Sequence, residues 1–288
     1  MKSNVSTVLL FILLILGIAI ILYPTVSDYY NSFHQSQAIA SYSEAMMNVS
    51  AEDYTKEWNA ATEYNDELRT LPSRFTMTDE QLAYYESLLN ITGSGIMGYI
   101  EVPKIKVTLP IYHGTDDAVL QIAIGHIEGS SLPVGGVGTH SVLSGHRGLP
   151  SAKLFTDLDQ MEVGDIFTMR ILDEVLTYEV DQILIVLPYD LSALAIDPEQ
   201  DYCTLVTCTP YGINSHRMLV RGHRIDNEET ARSIRIISDA TQIDIVIVAP
   251  ALAIPMILIL VIILMISTSH RTERRRLKKE DPTNAAQN

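Results

Sequence analysis

Cys208 closes the run Cys203-Thr204-Leu205-Val206-Thr207-Cys208 and is followed by Thr209-Pro210-Tyr211-Gly212. A thiol at the end of a strand-like run, just before a proline that takes the chain out of a sheet, is placed to reach a surface cleft. Cysteine is a strong nucleophile only as its thiolate, and at a reference pKa near 8.5 only about 3% is ionised at pH 7. A nearby imidazolium or guanidinium favours the anion, and a cation also stabilises the oxyanion of an acyl-transfer intermediate. An imidazole of this kind is His146, in Ser144-Gly145-His146-Arg147-Gly148 at a predicted strand exit. Arg217, Arg221 and Arg147 are the candidate cations. Arg217 and Arg221, four apart, share one face of a predicted strand, and pattern alone does not choose among the three. A thiol, an imidazole and a guanidinium together point to thiol-based acyl transfer.

The elements that must position them belong to an exported domain. The chain has 288 residues, 47% of them apolar, and a net charge of -15. Residues 8–23 form an uncharged apolar run after Lys2, and residues 245–266 form a second, interrupted by Pro250 and Pro255. Roughly 20 apolar residues cross a bilayer core, so the second run suffices and the first is marginal. The first also has the charged start and apolar core of a signal peptide. Tyr23-Pro24-Thr25-Val26-Ser27 offers no small-x-small cleavage site, which favours an uncleaved anchor. The cluster from His270 to Lys279 places the C-terminus in the cytoplasm, and Lys2 weakly does the same for residues 1–7. A basic run can also be a nucleic-acid patch. Here it directly follows a span and the intervening region is acidic, so a membrane and no nucleic acid is expected as partner.

Only Cys203 and Cys208 are available for a disulfide. On one extended strand they lie about 16 Å apart on opposite faces, whereas a bridge needs Cα atoms within about 7 Å. Cys203 reads as a core residue and Cys208 as the reactive one. Among eight histidines, His34 and His270 lie outside the β-rich region. His113, His126 and His140 read as surface or packing residues near turns, and His216 and His223 flank the arginine strand. No grouping has zinc-ligand spacing, so no metal is expected.

Residues 24–95 are mostly polar with helical spacing. Trp58, Ala61 and Leu68 fit one helix face; Leu82, Tyr85, Leu88 and Leu89 fit a second helix, opened by a Thr78/Gln81 capping box. Leu71-Pro72-Ser73-Arg74-Phe75 breaks the pattern between them. From residue 96 to 228 the character is β-rich, with short strands predicted over 97–101, 106–112, 139–144, 165–171, 176–186, 202–208 and 217–225. Short helices are expected near 117–124 and 151–161. Such punctuation suggests an all-β barrel or sandwich. Residues 229–244 read as a juxtamembrane linker and 267–288 as a basic tail.

Residues 96 to 225 resemble a sortase, a family of membrane-anchored cysteine transpeptidases of Gram-positive bacteria. Thr204-Leu205-Val206-Thr207-Cys208 matches the family's TLxTC motif, Ser144-Gly145-His146-Arg147 the segment around its histidine, and Asn214-Ser215-His216-Arg217 the segment around its arginine. The resemblance implies a mainly β, eight-stranded sortase barrel with short helices, preceded by a helical extension and flanked by transmembrane helices. It also implies Arg217 as the cation, no cofactor, and Thr207 and Ser144 as substrate-binding neighbours.

The implied reaction cleaves an LPxTG-like sorting signal of a secreted pilin or surface protein at Thr-Gly and passes the acyl group to an amine. The C-terminal span, the helical extension and Thr209-Pro210-Tyr211-Gly212 resemble class C, the pilus-assembly sortases, whose acceptor is a pilin lysine. Many class C enzymes carry an Asp-Pro-aromatic lid, and this chain has no such tripeptide. Pro72, Arg74 and Phe75 occupy about the right place for a modified lid, or for an ordinary helix-helix linker. Competing readings are a sortase that anchors surface proteins to a peptidoglycan amine, a hydrolytic thiol protease, and a non-catalytic exported adhesion domain.

Overall fold

The computed structural model describes residues 2–227. The linker expected over 229–244, the apolar run 245–266 and the basic tail lie outside the described residues.

The first element, α1 (Lys2–Met47), is one 46-residue helix with Pro24 inside it. Its apolar segment is exposed on all sides, as at Leu9, Ile12, Leu16 and Ile21, and is long and apolar enough to cross a membrane. The composition shift at residue 24 is therefore no structural break. A proline in mid-helix loses one backbone hydrogen bond, and contacts further along offset that loss. The Tyr42 hydroxyl donates to the Met97 carbonyl (2.9 Å) and accepts from the Leu172 amide (2.7 Å). Gln35 Nε2 donates to the Ile122 carbonyl (2.6 Å). The second half of α1 is thus packed against the barrel.

Helix α2 (Ala51–Leu68) starts at Ser50, whose hydroxyl accepts from the Asp53 amide, and buries Ala61, Tyr64, Asn65 and Leu68. Asn65 meets both polar groups of Leu132, accepting from its amide (2.7 Å) and donating to its carbonyl (3.0 Å). Helix α3 (Asp79–Ser87) opens on the expected Thr78/Gln81 capping box.

Eight strands follow: β1 (Ile96–Val102), β2 (Val107–His113), β3 (Ile124–His126), β4 (Thr139–Ser144), β5 (Ile166–Ile171), β6 (Glu174–Val186), β7 (Asp201–Thr209) and β8 (His216–Ile225). They close into a barrel in the order β1-β2-β3-β4-β7-β8-β6-β5. Two expectations need correction. Of residues 117–124 only α4 (Asp117–Leu120) is helical, and Ile124 begins the three-residue strand β3. Residues 151–161 make turns ending in one short 3-10 turn, Leu158–Gln160. Leu154 adopts a left-handed backbone (φ 40°) that ends any helix there.

The barrel interior is filled by alternate residues, among them Leu143, Cys203, Leu205, Met218 and Val220. The residues between them, Val142, Val206 and Leu219, form a second apolar cluster on the outer face. An irregularity between Val180 and Gln182 of β6 shifts the register with β8. A bulge of this kind reverses which residues face outward, and Leu184 and Val186 accordingly join the outer cluster.

Two histidines are fully buried, His126 beside Tyr85 of α3 and His140 beneath the 192–195 turn. His126 meets the Tyr85 hydroxyl (2.9 Å) and the Ser131 carbonyl (2.8 Å). His140 meets the Ala195 carbonyl (2.9 Å) and Thr204 Oγ1 (2.7 Å). Burial pushes both rings down to about 4, against about 6.5 in an unfolded chain. Between those values the unfolded chain binds more protons, so stability rises with pH and is lost as pH falls from about 6.5 toward 4. The loss is on the order of 3 kcal/mol per ring. Thermal melts between pH 7 and pH 4 are expected to show this fall, and His140→Gln is expected to flatten it.

Candidate active site

Strands β7 and β8 bring the cysteine and one arginine together. They pair antiparallel with Cys208 directly opposite Arg217, so the two Cα atoms lie about 5 Å apart. Side chains alternate along a strand. Cys208 therefore shares the outer face with Val206, and Arg217 shares it with Leu219. Cys208 is partly exposed, whereas Cys203 is fully buried with its sulfur 3.8 Å from that of Met169. Burial raises the Cys203 thiol well above its ordinary range. The two cysteines are both free and face opposite ways, as strand geometry requires.

The histidine reaches the same end of the sheet from β4. Strand β4 runs parallel to β7 with a constant offset, from Thr139 beside Asp201 to Ser144 beside Val206. Beyond the last ladder pair the chain is still held, because the Gly145 amide donates to the Val206 carbonyl (3.0 Å). Thr207 Oγ1 donates to the Gly145 carbonyl (2.8 Å). Carried on by two residues, the same offset puts His146 level with Cys208. Past His146 its carbonyl accepts from Phe155 (3.1 Å), and the Gly148 amide donates to Thr156 Oγ1 (3.1 Å). Gly148 has φ +74°, and a Cβ there would stand 2.7 Å from the Tyr211 ring. The histidine loop thus packs on the segment that follows the cysteine.

The three candidate cations differ in what holds them. Arg221 makes a two-pronged pair with Asp181 (3.0 and 2.9 Å) and lies 4.1 Å over the Tyr202 ring. Arg147 is paired with Asp159. Arg217 has no carboxylate partner among the described residues; its Nη1 donates to the carbonyls of Asn214 (3.3 Å) and His216 (3.2 Å).

Ser144 lies half-buried on the outer face, two residues before His146. Thr207, expected to touch substrate, turns inward instead: it is 1% exposed, and its hydroxyl is occupied by the Gly145 carbonyl. It positions the histidine segment. Asp181 was not legible in the sequence, since it is 40 residues from the arginine it pairs with.

Segment 71–75 lies over the outer groove. Phe75 packs against the cluster of Val142, Leu194, Val206 and Leu219. The Arg74 guanidinium lies 4.4 Å over the Phe75 ring and donates to the carbonyls of Gly129 (2.9 Å) and Leu194 (2.5 Å). Gly129 has φ +80°, and a Cβ there would stand 2.2 Å from the Arg74 carbonyl oxygen. Only glycine lets the segment lie so close. Pro72 is exposed. Further along the same face a cavity of about 580 Å³ opens beside Leu184, Ala193, Tyr202 and Arg221.

Known proteins share this architecture. Residues 100–225 match the model of the sortase domain family. Sortase D of Bacillus subtilis is 32% identical over 131 residues, which is 44% of this chain and 63% of that protein. The chain thus spans less than two thirds of that curated relative. Among solved structures, sortase C of Clostridium perfringens with the C-terminal cell wall sorting motif is 43% identical, with a TM-score of 0.59, covering 66% of this chain and 99% of that one. Sortase C1 of Streptococcus agalactiae is 54% identical, with a TM-score of 0.64, again over 66% of this chain and 99% of that one. With more than half its aligned residues shared across nearly the whole of a solved sortase, and with the same barrel, this chain belongs to the sortase family and resembles class C sortases in structure.

Proposed function

We propose that this chain is a cysteine transpeptidase whose centre is Cys208, His146 and Arg217. The Cys208 thiolate attacks the threonine carbonyl of an LPxTG-like sorting signal. The resulting oxyanion is held by Arg217, and the Thr-Gly bond breaks as His146 protonates the leaving amine. A thioester remains on Cys208. An acceptor amine then attacks it, His146 takes that amine's proton, the thiolate leaves, and a new amide forms. The acceptor we favour is a lysine of a pilin, so the product is a pilus polymer. The pairing of Cys208 with Arg217, with Gly145 locked alongside, is the observation that carries this reading. The class C resemblance of the solved relatives supports the pilin acceptor over a peptidoglycan amine.

The outer apolar cluster supports a groove that takes the apolar residues of the signal, with Phe75 and Arg74 as a modified lid across it. The apolar α1 supports a membrane anchor, and the positive charge at Lys2 and from His270 to Lys279 supports a barrel outside the cell with both termini in the cytoplasm.

The exported domain, incubated with LPxTG-like peptides and purified pilin, is expected to yield an isopeptide-linked product and, without pilin, a thioester on Cys208, both by mass spectrometry. Cys208→Ala is expected to abolish both. Hydrolysed peptide alone, whatever amine is supplied, overturns the transferase reading.

A further inference from the structure

The length of α1 and the way the barrel grips it place the active site relative to the lipid. The uncharged run 8–23 is only about 24 Å long at 1.5 Å per residue, whereas the hydrocarbon core is about 30 Å thick. About four more residues must enter the core, and the next turn or two must lie in the headgroup layer. The structure shows which face does so. Tyr23, Val26, Tyr30 and Phe33, spaced three, four and three apart, form one stripe, each between 58% and 63% exposed, with Tyr29 beside it.

The opposite face of α1 belongs to the barrel. Asp28 Oδ1 accepts from the Lys153 amide (2.7 Å), Asn31 Nδ2 donates to the Ser151 carbonyl (2.7 Å), and Gln35 and Tyr42 continue the same line. The barrel is therefore fastened within two helical turns of the end of the apolar run, with no linker between. Aromatic side chains with a polar tip favour the membrane interface, and the stripe carries two tyrosines, Tyr23 and Tyr30, with Tyr29 beside them. The carboxylate of Asp28, at the edge of the core, meets a backbone donor that lessens its desolvation.

Resting on the anchor reading of α1, we infer that the barrel lies against the lipid headgroups, with the Tyr23–Val26–Tyr30–Phe33 stripe running from the edge of the hydrocarbon core into the bilayer interface and residues 150–153 resting on it. The consequence concerns His146. Ser151 is five positions further along the chain, so chain length keeps the histidine within about 18 Å of the attachment point. The acyl-transfer site then opens at the membrane surface, where it meets peptides presented by membrane-held substrates before those of freely diffusing ones.

Depth-dependent quenching tests this in the full chain, reconstituted in phosphatidylcholine vesicles with bromine placed near the headgroup end or near the middle of the acyl chains. Trp58 is the only tryptophan, so single reporters are built on Trp58→Phe at Gly17→Trp, Tyr30→Trp and Pro150→Trp. The Gly17→Trp reporter is expected to be quenched at least two-fold more by mid-chain bromine, and the other two at least two-fold more by shallow bromine. If the Gly17→Trp reporter is quenched and the Tyr30→Trp reporter is not, water or protein covers the stripe and the inference falls while the anchor stands. Quenching of the Tyr30→Trp but not the Pro150→Trp reporter leaves the barrel off the surface and equally overturns it. An unquenched Gly17→Trp reporter removes the anchor itself, and the inference with it.

Discussion

Arg217→Ala is expected to slow peptide acyl transfer by about 10²–10³-fold, the usual loss when one preorganised oxyanion donor is removed. Thermal stability is expected to change little, because among the described residues Arg217 hydrogen-bonds only to the neighbouring carbonyls of Asn214 and His216. Arg221→Ala is expected to do the reverse. It strips Asp181 of a two-pronged partner in a half-buried pair, which costs about 1–3 kcal/mol of stability, while transfer stays within a few-fold. The contrast follows from geometry. A guanidinium already committed to a carboxylate has most of its field neutralised locally, whereas one without such a partner can turn its fork to a developing negative charge. Arg217→Lys keeps the charge but loses the fork and should fall between wild type and alanine. Stopped-flow acylation with a fluorogenic sorting peptide, alongside thermal melts, separates the two arginines. If Arg221→Ala proves the inactive variant, the assignment of the cation is wrong.

The reasons some features were legible in the sequence and others were not are physical. Strand parity is local, so the run from Cys203 to Cys208 already places Cys203 inside and Cys208 outside, and both are so placed. The same parity puts Thr207 inside with Leu205, a signal that was available and argues against a direct substrate contact. Residues 151–161 misled for a definite reason. Leu154, Phe155, Leu158 and Met161 have helical spacing and are all buried, but turns bring them into the core instead. Strand β3 is three residues long and takes its conformation from β2 and β4 on either side, so it has no period to read. The resemblance already implied Arg217 as the cation; that Arg221 and Arg147 are held by carboxylates instead depends on pairings across 40 and 12 residues. Only the closed barrel supplies those.

Truncating the segment across the groove is expected to have the second large effect. Phe75→Ala removes a half-buried ring that packs on Val142, Val206 and Leu219. At roughly 25 cal/mol per Å² of apolar surface, that ring stabilises the closed arrangement by about 1–3 kcal/mol. If the groove admits substrate only when the segment is displaced, a loss of about 2 kcal/mol raises the small open population roughly 30-fold. Labelling of Cys208 by a bulky maleimide, followed by intact mass, is then expected to accelerate by at least tenfold. Cys203, fully buried, is expected to stay unmodified and serves as the internal control for unfolding. Arg74→Ala is expected to act in the same direction, since it releases the carbonyls of Gly129 and Leu194 at once. The Leu194 contact gives the arginine variant a separate signature. His140 holds the next carbonyl, Ala195, so loss of Arg74 loosens one of two adjacent ties on the 192–195 turn and should speed proteolysis there, whereas Phe75→Ala leaves both ties intact. A labelling rate unchanged in both variants means that 71–75 is only a connector between α2 and α3.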